Sequence, residues 1–148
     1  MEYFARTDTN DLVVNQVGTL NGNPIAATAG LATLRELQRP GSYERLHTLG
    51  QRLRDLLVAT LREHNVAGQV LGEGPLYHVL FTHKQIQTYR DSLEADSQKL
   101  RVFHYELLNQ GVLKSLSKGY VSLAHTDSDI AETAKAFDIA IGKVASSM

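Results

Sequence analysis

Residues 42–82 read SYERLHTLGQRLRDLLVATLREHNVAGQVLGEGPLYHVLFT, one long amphipathic pattern followed by two short extended ones. Tyr43, Leu46, Leu49, Leu53, Leu56, Leu57 and Leu61 recur at steps of three and four, which sets them on one face of a helix over residues 43–64. Ser42 is the expected cap of that helix, and His64-Asn65 ends it. Val66–Leu71 and Leu76–Thr82 are separated by Gly72-Glu73-Gly74-Pro75, which predicts a hairpin or two adjacent strands. Val70, Leu76, His78, Leu80 and Thr82 alternate and are the expected face of that pair.

Towards the carboxy terminus, residues 86–110 read as mostly helical, with Leu93, Leu100, Phe103, Leu107 and Leu108 as the inner stripe and Gly111 as the terminating glycine. Val112-Leu113 and Tyr120-Val121-Ser122-Leu123 predict two more short strands around Ser117-Lys118-Gly119. A last helix begins near Asp127, with Ile130, Ala134, Phe137, Ile141 and Val144 on one face. Towards the amino terminus, residues 24–37 read as a helix of small residues, stopped by Arg39-Pro40-Gly41. Before it, Asp8–Asp11 reads as a turn and Leu12-Val13-Val14 as a short extended piece. Helices interposed among short strands predict an α+β fold, a small, mainly antiparallel sheet covered on one face by helices. The expected organisation is an amino-terminal arm and linker helix over residues 1–38 and a small α+β domain over residues 39–148.

Composition narrows the function. The chain has 148 residues, a formal net charge of −1, 43% hydrophobic and 21% charged residues, all usual for one globular domain. Near-zero net charge argues against a general attraction to nucleic acid or to an anionic membrane. Cysteine is absent, which excludes disulfides, thiolate metal sites and a cysteine nucleophile within this sequence. The start has no signal-peptide pattern and no run is long and apolar enough to span a bilayer, so a cytoplasmic location is the expectation. Arg52, Arg54 and Arg62 interleave with Asp55 and Glu63 and read as a solvated helix face.

The segment Gly18-Thr19-Leu20-Asn21-Gly22-Asn23-Pro24 carries the chemistry. Two glycines, a hydroxyl and short amides run into a helix start, where amides and the helix dipole favour an anion. Asn23 suits the cap and Pro24 the first helical position. Together with the following Ile25–Leu34, this segment resembles the stretch that closes the cofactor site in class III pyridoxal-phosphate aminotransferases, most nearly the glutamate-1-semialdehyde aminomutase-like group. Gly111-Val112-Leu113 and Gly119–Ile130 resemble the carboxy-terminal strand-turn-strand-helix of that group, and Tyr89-Arg90-Asp91 with the helix after it is similar as well. The resemblance covers nearly the whole chain.

The resemblance implies the small carboxy-terminal domain of a fold-type-I enzyme, with pyridoxal phosphate as the cofactor of the completed protein. It gives Thr19 the role of donor to the cofactor phosphate, with Gly18 allowing close backbone approach. It also implies that the Schiff-base lysine, the aspartate on the pyridine nitrogen and the stacking aromatic precede this sequence. None of Lys84, Lys99, Lys114, Lys118, Lys135 and Lys143 takes the lysine's place, so no catalytic residue is assigned and the chain alone is expected to be inactive. The loop at Val112–Gly119 is shorter than is usual in the family. The expected partners are a separate large domain or further copies of the chain. The alternative is a stand-alone, non-enzymatic oligomeric or interaction module derived from such a domain.

Other chemistries find little support. His78 and His83 are five apart and face opposite sides of a regular strand. His47 and His64 are far apart along one helix, His104 lies near an apolar stripe and His125 in a strand-to-helix turn, so no metal site is assigned. A nucleophile elbow and a dinucleotide fingerprint are both missing.

Overall fold

A computed structural model describes residues 18–147. The expected turn at Asp8–Asp11 and the extended piece at Leu12–Val14 lie outside the described residues. The chain divides into two compact units, residues 1–39 and residues 40–148. In the first, helix α1 spans Pro24–Leu37. None of its residues is buried, and a Cβ on Gly30 would meet nothing within 4 Å.

The second unit runs α2 (Ser42–Glu63), β1 (Gln69–Leu71), β2 (Leu76–Leu80), α3 (Tyr89–Ser92), α4 (Ser97–Asn109), β3 (Gly119–Tyr120) and α5 (Asp127–Ser146). The sheet is antiparallel with β2 in the middle, Val70 opposite Val79 and Tyr77 opposite Gly119. Helix α5 packs on α4 and α2, and α2 packs on β1 and β2. This is the expected α+β class, with three strands among the described residues where four were expected. Val112-Leu113 forms no strand: after Gly111 reverses the chain (φ 82°), the Val112 amide donates to Leu107 O at 2.8 Å and closes the helix end.

Further details differ from the sequence reading. The expected helix over 86–110 is two helices, because Asp96 accepts from the amides of Gln98 and Lys99 and starts α4 afresh. Leu93 therefore leaves the inner stripe and is 65% exposed. Gly41, not Ser42, caps α2, in the left-handed region at φ 84°. In β2 the core face is the other one: Tyr77 and Val79, with Phe81 just beyond, are at most 4% exposed, whereas Leu76 and His78 are only partly buried. A hydrophobic residue at nearly every position of β2 left the parity open, and only packing chose it.

The core is built of Leu53, Leu57, Phe103, Leu107, Phe137 and Ile141 with the odd face of β2. Tyr77 meets Phe137 edge-on at 5.8 Å, Phe137 lies 6.1 Å from Phe103, and Phe103 meets Phe81 at 5.8 Å. Two glycines let backbone come close. A Cβ on Gly50 of α2 would stand 2.0 Å from Gly74 O, and one on Gly119 would stand 2.1 Å from the Tyr77 ring. Arg54 does not belong to a solvated face. Its Nη1 donates to Gly74 O at 2.7 Å and Leu76 O at 2.8 Å and staples α2 to the hairpin. No helix of the described residues is long and apolar enough to cross a membrane.

Two stability outcomes follow from the packing. Phe137→Ala should lower unfolding free energy by about 3–5 kcal/mol in urea titrations. Alanine normally gains about 1 kcal/mol over glycine inside a helix. Gly50→Ala should nonetheless destabilise the protein, because the hairpin backbone stands where the methyl would go. Gly30→Ala should raise the helicity of α1 without loss of stability, and a gain in stability for Gly50→Ala would refute this packing.

Candidate functional site

The Gly18–Pro24 segment forms two successive turns, with Asn21 N donating to Gly18 O at 3.1 Å and Asn23 N to Leu20 O at 3.1 Å. Asn23 caps α1 as expected: its Oδ1 accepts from Ile25 N at 2.8 Å and Ala26 N at 3.3 Å. Its backbone carbonyl takes the Ala27 amide at 2.9 Å, and Pro24 has no amide hydrogen to give. The first turn of α1 thus has its donors engaged, and the anion site expected at the helix end is already filled by Asn23. Gly18 and Thr19, just upstream, are exposed. Among the described residues no partner takes a hydrogen bond from the Thr19 hydroxyl. A Cβ on Gly18 would come within 2.6 Å of the Asn21 side-chain oxygen, which only needs to swing aside.

The second cluster follows α4. Lys114 Nζ donates to Ser115 O at 2.6 Å and Leu116 O at 3.3 Å and sits 6.0 Å from the Phe103 ring centre. Burial there pushes its ammonium down from the usual 10.5 to about 8. Burial also lowers the pKa of His78, helped by the positive charges of Lys114 and Lys118. His78 Nε2 is buried without a hydrogen-bond partner. Nothing in the sequence marked Lys114 or His78 as a pair, since one lies in the loop after α4 and the other in β2.

The loop into α5 is held by local capping. His125 Nδ1 accepts from Ser122 N at 3.0 Å, which fixes its tautomer towards an acceptor there and uses the atom structurally. Thr126 and Asp129 form a capping box, and the Thr126 amide and hydroxyl hold the Asp129 carboxyl below its usual range. His64 Nε2 meets Asp138 Oδ1 at 2.7 Å, and His47 and His83 are exposed. His104 Nδ1 is buried without a partner. Among the described residues, no three His, Asp or Glu side chains are grouped so as to hold a metal ion.

Known proteins resemble the chain in sequence and in fold. No family model matches the chain. It is 35% identical to the glutamate-1-semialdehyde 2,1-aminomutase of Methanopyrus kandleri over 97% of its length, and 40% identical to that of Dechloromonas aromatica over 84%. An omega-transaminase from Sphaerobacter thermophilus superposes with a TM-score of 0.75 at 31% identity, covering 90% of this chain. The chain is homologous to part of the class III pyridoxal-phosphate aminotransferases. It spans about a third of the length of these relatives: 34% and 30% of the two aminomutases and 31% of the transaminase.

The Lys114 site makes a pH prediction with a fixed sign. A lysine with a lowered folded pKa binds fewer protons than the unfolded chain between about 8 and 10.5, so unfolding free energy should rise across that window. Lys114→Met should be more stable than the parent at pH 7, and the difference should shrink as pH rises past 8. Denaturant titrations of both proteins at pH 7 and pH 10 check this; a constant difference would show that Lys114 is not held in a desolvated place.

Proposed function

We propose that this chain acts as the carboxy-terminal small domain of a class III pyridoxal-phosphate-dependent aminotransferase or aminomutase. The observation that supports it is the match along nearly the whole chain to about a third of such enzymes, by sequence and by fold alike. In this reading Thr19 donates its hydroxyl, and the Gly18–Thr19 backbone its amides, to the phosphate of the cofactor. The exposed Thr19 hydroxyl fits that role. The engaged amides of α1 do not, so the remaining phosphate donors belong to the part of the enzyme that this chain does not span. When bound, the cofactor supplies an electron sink for chemistry beside the substrate nitrogen. The lysine that carries it is none of the six present here, and the chain alone is inactive.

The completing element is a large domain, either on another polypeptide or in a longer protein, and self-association is the second route. One observation favours an associating surface: Ile25, Leu31 and Leu34 of α1 are 80%, 49% and 58% exposed. Apolar residues left bare along one helix favour a neighbour. A non-enzymatic oligomeric module is therefore the alternative reading. We place the protein in the cytoplasm.

Two measurements test the proposal. Incubating the purified chain with pyridoxal phosphate and borohydride should label no single lysine stoichiometrically; one fully reduced lysine, with amino transfer, would overturn it. Supplying the matching large domain of an aminomutase should restore amino transfer. Thr19→Ala should then weaken cofactor retention by about 1.5–3 kcal/mol, the usual worth of a bond to a charged group. Sedimentation of the chain alone separates the alternative, which requires a stable oligomer with no activity under either condition.

A further inference from the structure

We propose that Asn21-Gly22 is a site of spontaneous covalent modification, at which the asparagine amide is lost through a cyclic imide and a mixture of aspartate and isoaspartate replaces it. The reaction needs only water, and it does not depend on the aminotransferase reading. Asparagine is lost in this way when the backbone nitrogen of the next residue reaches the side-chain carbonyl carbon. That nitrogen therefore has to carry a hydrogen, stand unshielded and be free of a hydrogen bond.

Four asparagines lie among the described residues, and three of them are blocked at this step. Asn23 precedes Pro24, which has no N–H to lose. After Asn65, the Val66 amide donates to Leu61 O at 2.9 Å, and a branched side chain crowds it. After Asn109, the Gln110 amide donates to Glu106 O at 3.0 Å at the end of α4. Asn21 differs from all three. Its own amide donates to Gly18 O and that of Asn23 to Leu20 O, both at 3.1 Å, and the Gly22 amide between them donates to no described residue. Gly22 has no side chain, and a Cβ built on it would meet nothing within 4 Å. Both residues are exposed, so water reaches the amide and the ring that forms. The Asn21 side chain lies over Gly18, and no described residue holds its amide there by a hydrogen bond, so it is free to turn towards Gly22.

The steps balance without an oxidant or reductant. The Gly22 nitrogen gives its proton to water and attacks Cγ of Asn21, forming a C–N bond. The Asn21 Nδ2 group takes a proton from water and leaves as ammonia, and a cyclic imide remains. Water then adds to either imide carbonyl and breaks its bond to nitrogen. Opening at the side-chain carbonyl leaves aspartate. Opening at the main-chain carbonyl leaves isoaspartate, whose backbone runs through the former side chain and is one carbon longer ahead of the Asn23 cap. Either product puts a negative charge two residues from Thr19. In the reading of Thr19 as a phosphate donor, and only there, that charge opposes the phosphate.

Ageing the purified whole chain at pH 7 and pH 9 tests this, with peptide mass spectrometry to assign the altered residue and an isoaspartate assay on the same samples. The expected result is exchange of an amino group for a hydroxyl at Asn21, at least tenfold faster than at Asn23, Asn65 or Asn109, with isoaspartate among the products. The rate should rise at pH 9, where more of the Gly22 nitrogen is deprotonated. Gly22→Ala should slow the loss by tenfold or more. Alanine is strained at φ 78°, so Asn21→Gln is a second variant that keeps the glycine and demands a larger ring, with the same tenfold slowing expected. A parallel sample in urea reports on the fold: the rate at Asn21 should be similar there. Loss at Asn23, Asn65 or Asn109 as fast as at Asn21 overturns the proposal. So does an unchanged rate in either variant, or a loss at Asn21 tenfold faster in urea, which would mean that the folded turn protects it.

Discussion

Four aromatic rings in series hold the helical layer to the sheet. Tyr77 touches Phe137, Phe137 touches Phe103, and Phe103 touches Phe81, so β2 and the residue that follows it supply the two ends of the chain of rings and α5 and α4 supply its middle. Tyr77 and Phe81 are four residues apart and so share one side of the extended segment. Edge-on contacts add roughly 0.5–1.5 kcal/mol each beyond the area they bury. They also fix direction, because a ring edge must meet a ring face. The placing of β3 follows: the Tyr77 ring lies where a side chain at position 119 would go, and only glycine lets β3 pair there. The loop that precedes β3 inherits its place, and with it Lys114, 6.0 Å from the Phe103 ring centre.

The other half of the fold is fastened by polar groups and missing side chains. Gly50 admits the Gly74 carbonyl against α2, and Arg54, one turn on, satisfies that carbonyl and the one at Leu76. The same turn then gives its Pro75 carbonyl to Val121 N at 2.9 Å, which continues the line of hydrogen bonds past β3. A short hairpin is marginal by itself. Here its turn is held from α2 on one side and from the chain after β3 on the other.

Much of this was legible from residue order. The stripe of α2 from Leu46 onward, the stripe of α5, the α+β class, the Asn23 cap and the Gly111 stop all rest on local rules, whereas Tyr43, expected on the α2 stripe, is 58% exposed. Errors arose where two rules competed. In β2 every residue from Leu76 to Leu80 can be buried, so alternation could not choose a face. In residues 86–110 a helical pattern ran through Asp96, whose capping of Gln98 and Lys99 outweighed continuation. Thr126 and Asp129 carry the spacing of a capping box, a signal present in the sequence and left unused there. The site was less legible than the fold. Gly18 and Thr19 are adjacent and could be found by reading, whereas His78, Lys114 and the Arg54 staple depend on contacts between residues far apart in sequence.

The cap at Asn23 also bears on how an anion could be held near α1. A phosphate at the helix end would have to displace the Asn23 side chain from the amides of Ile25 and Ala26, giving up roughly 1 kcal/mol of capping for the new bonds. An anion held one turn upstream gives up nothing, since Thr19 brings a hydroxyl that no described residue uses. The helix is thus complete without a ligand, and its dipole still favours negative charge in the turn before it. A cap internal to the helix and a donor outside it separate two tasks that a bare helix end would have to share. Such a helix start can fold with its donors satisfied before any anion reaches it.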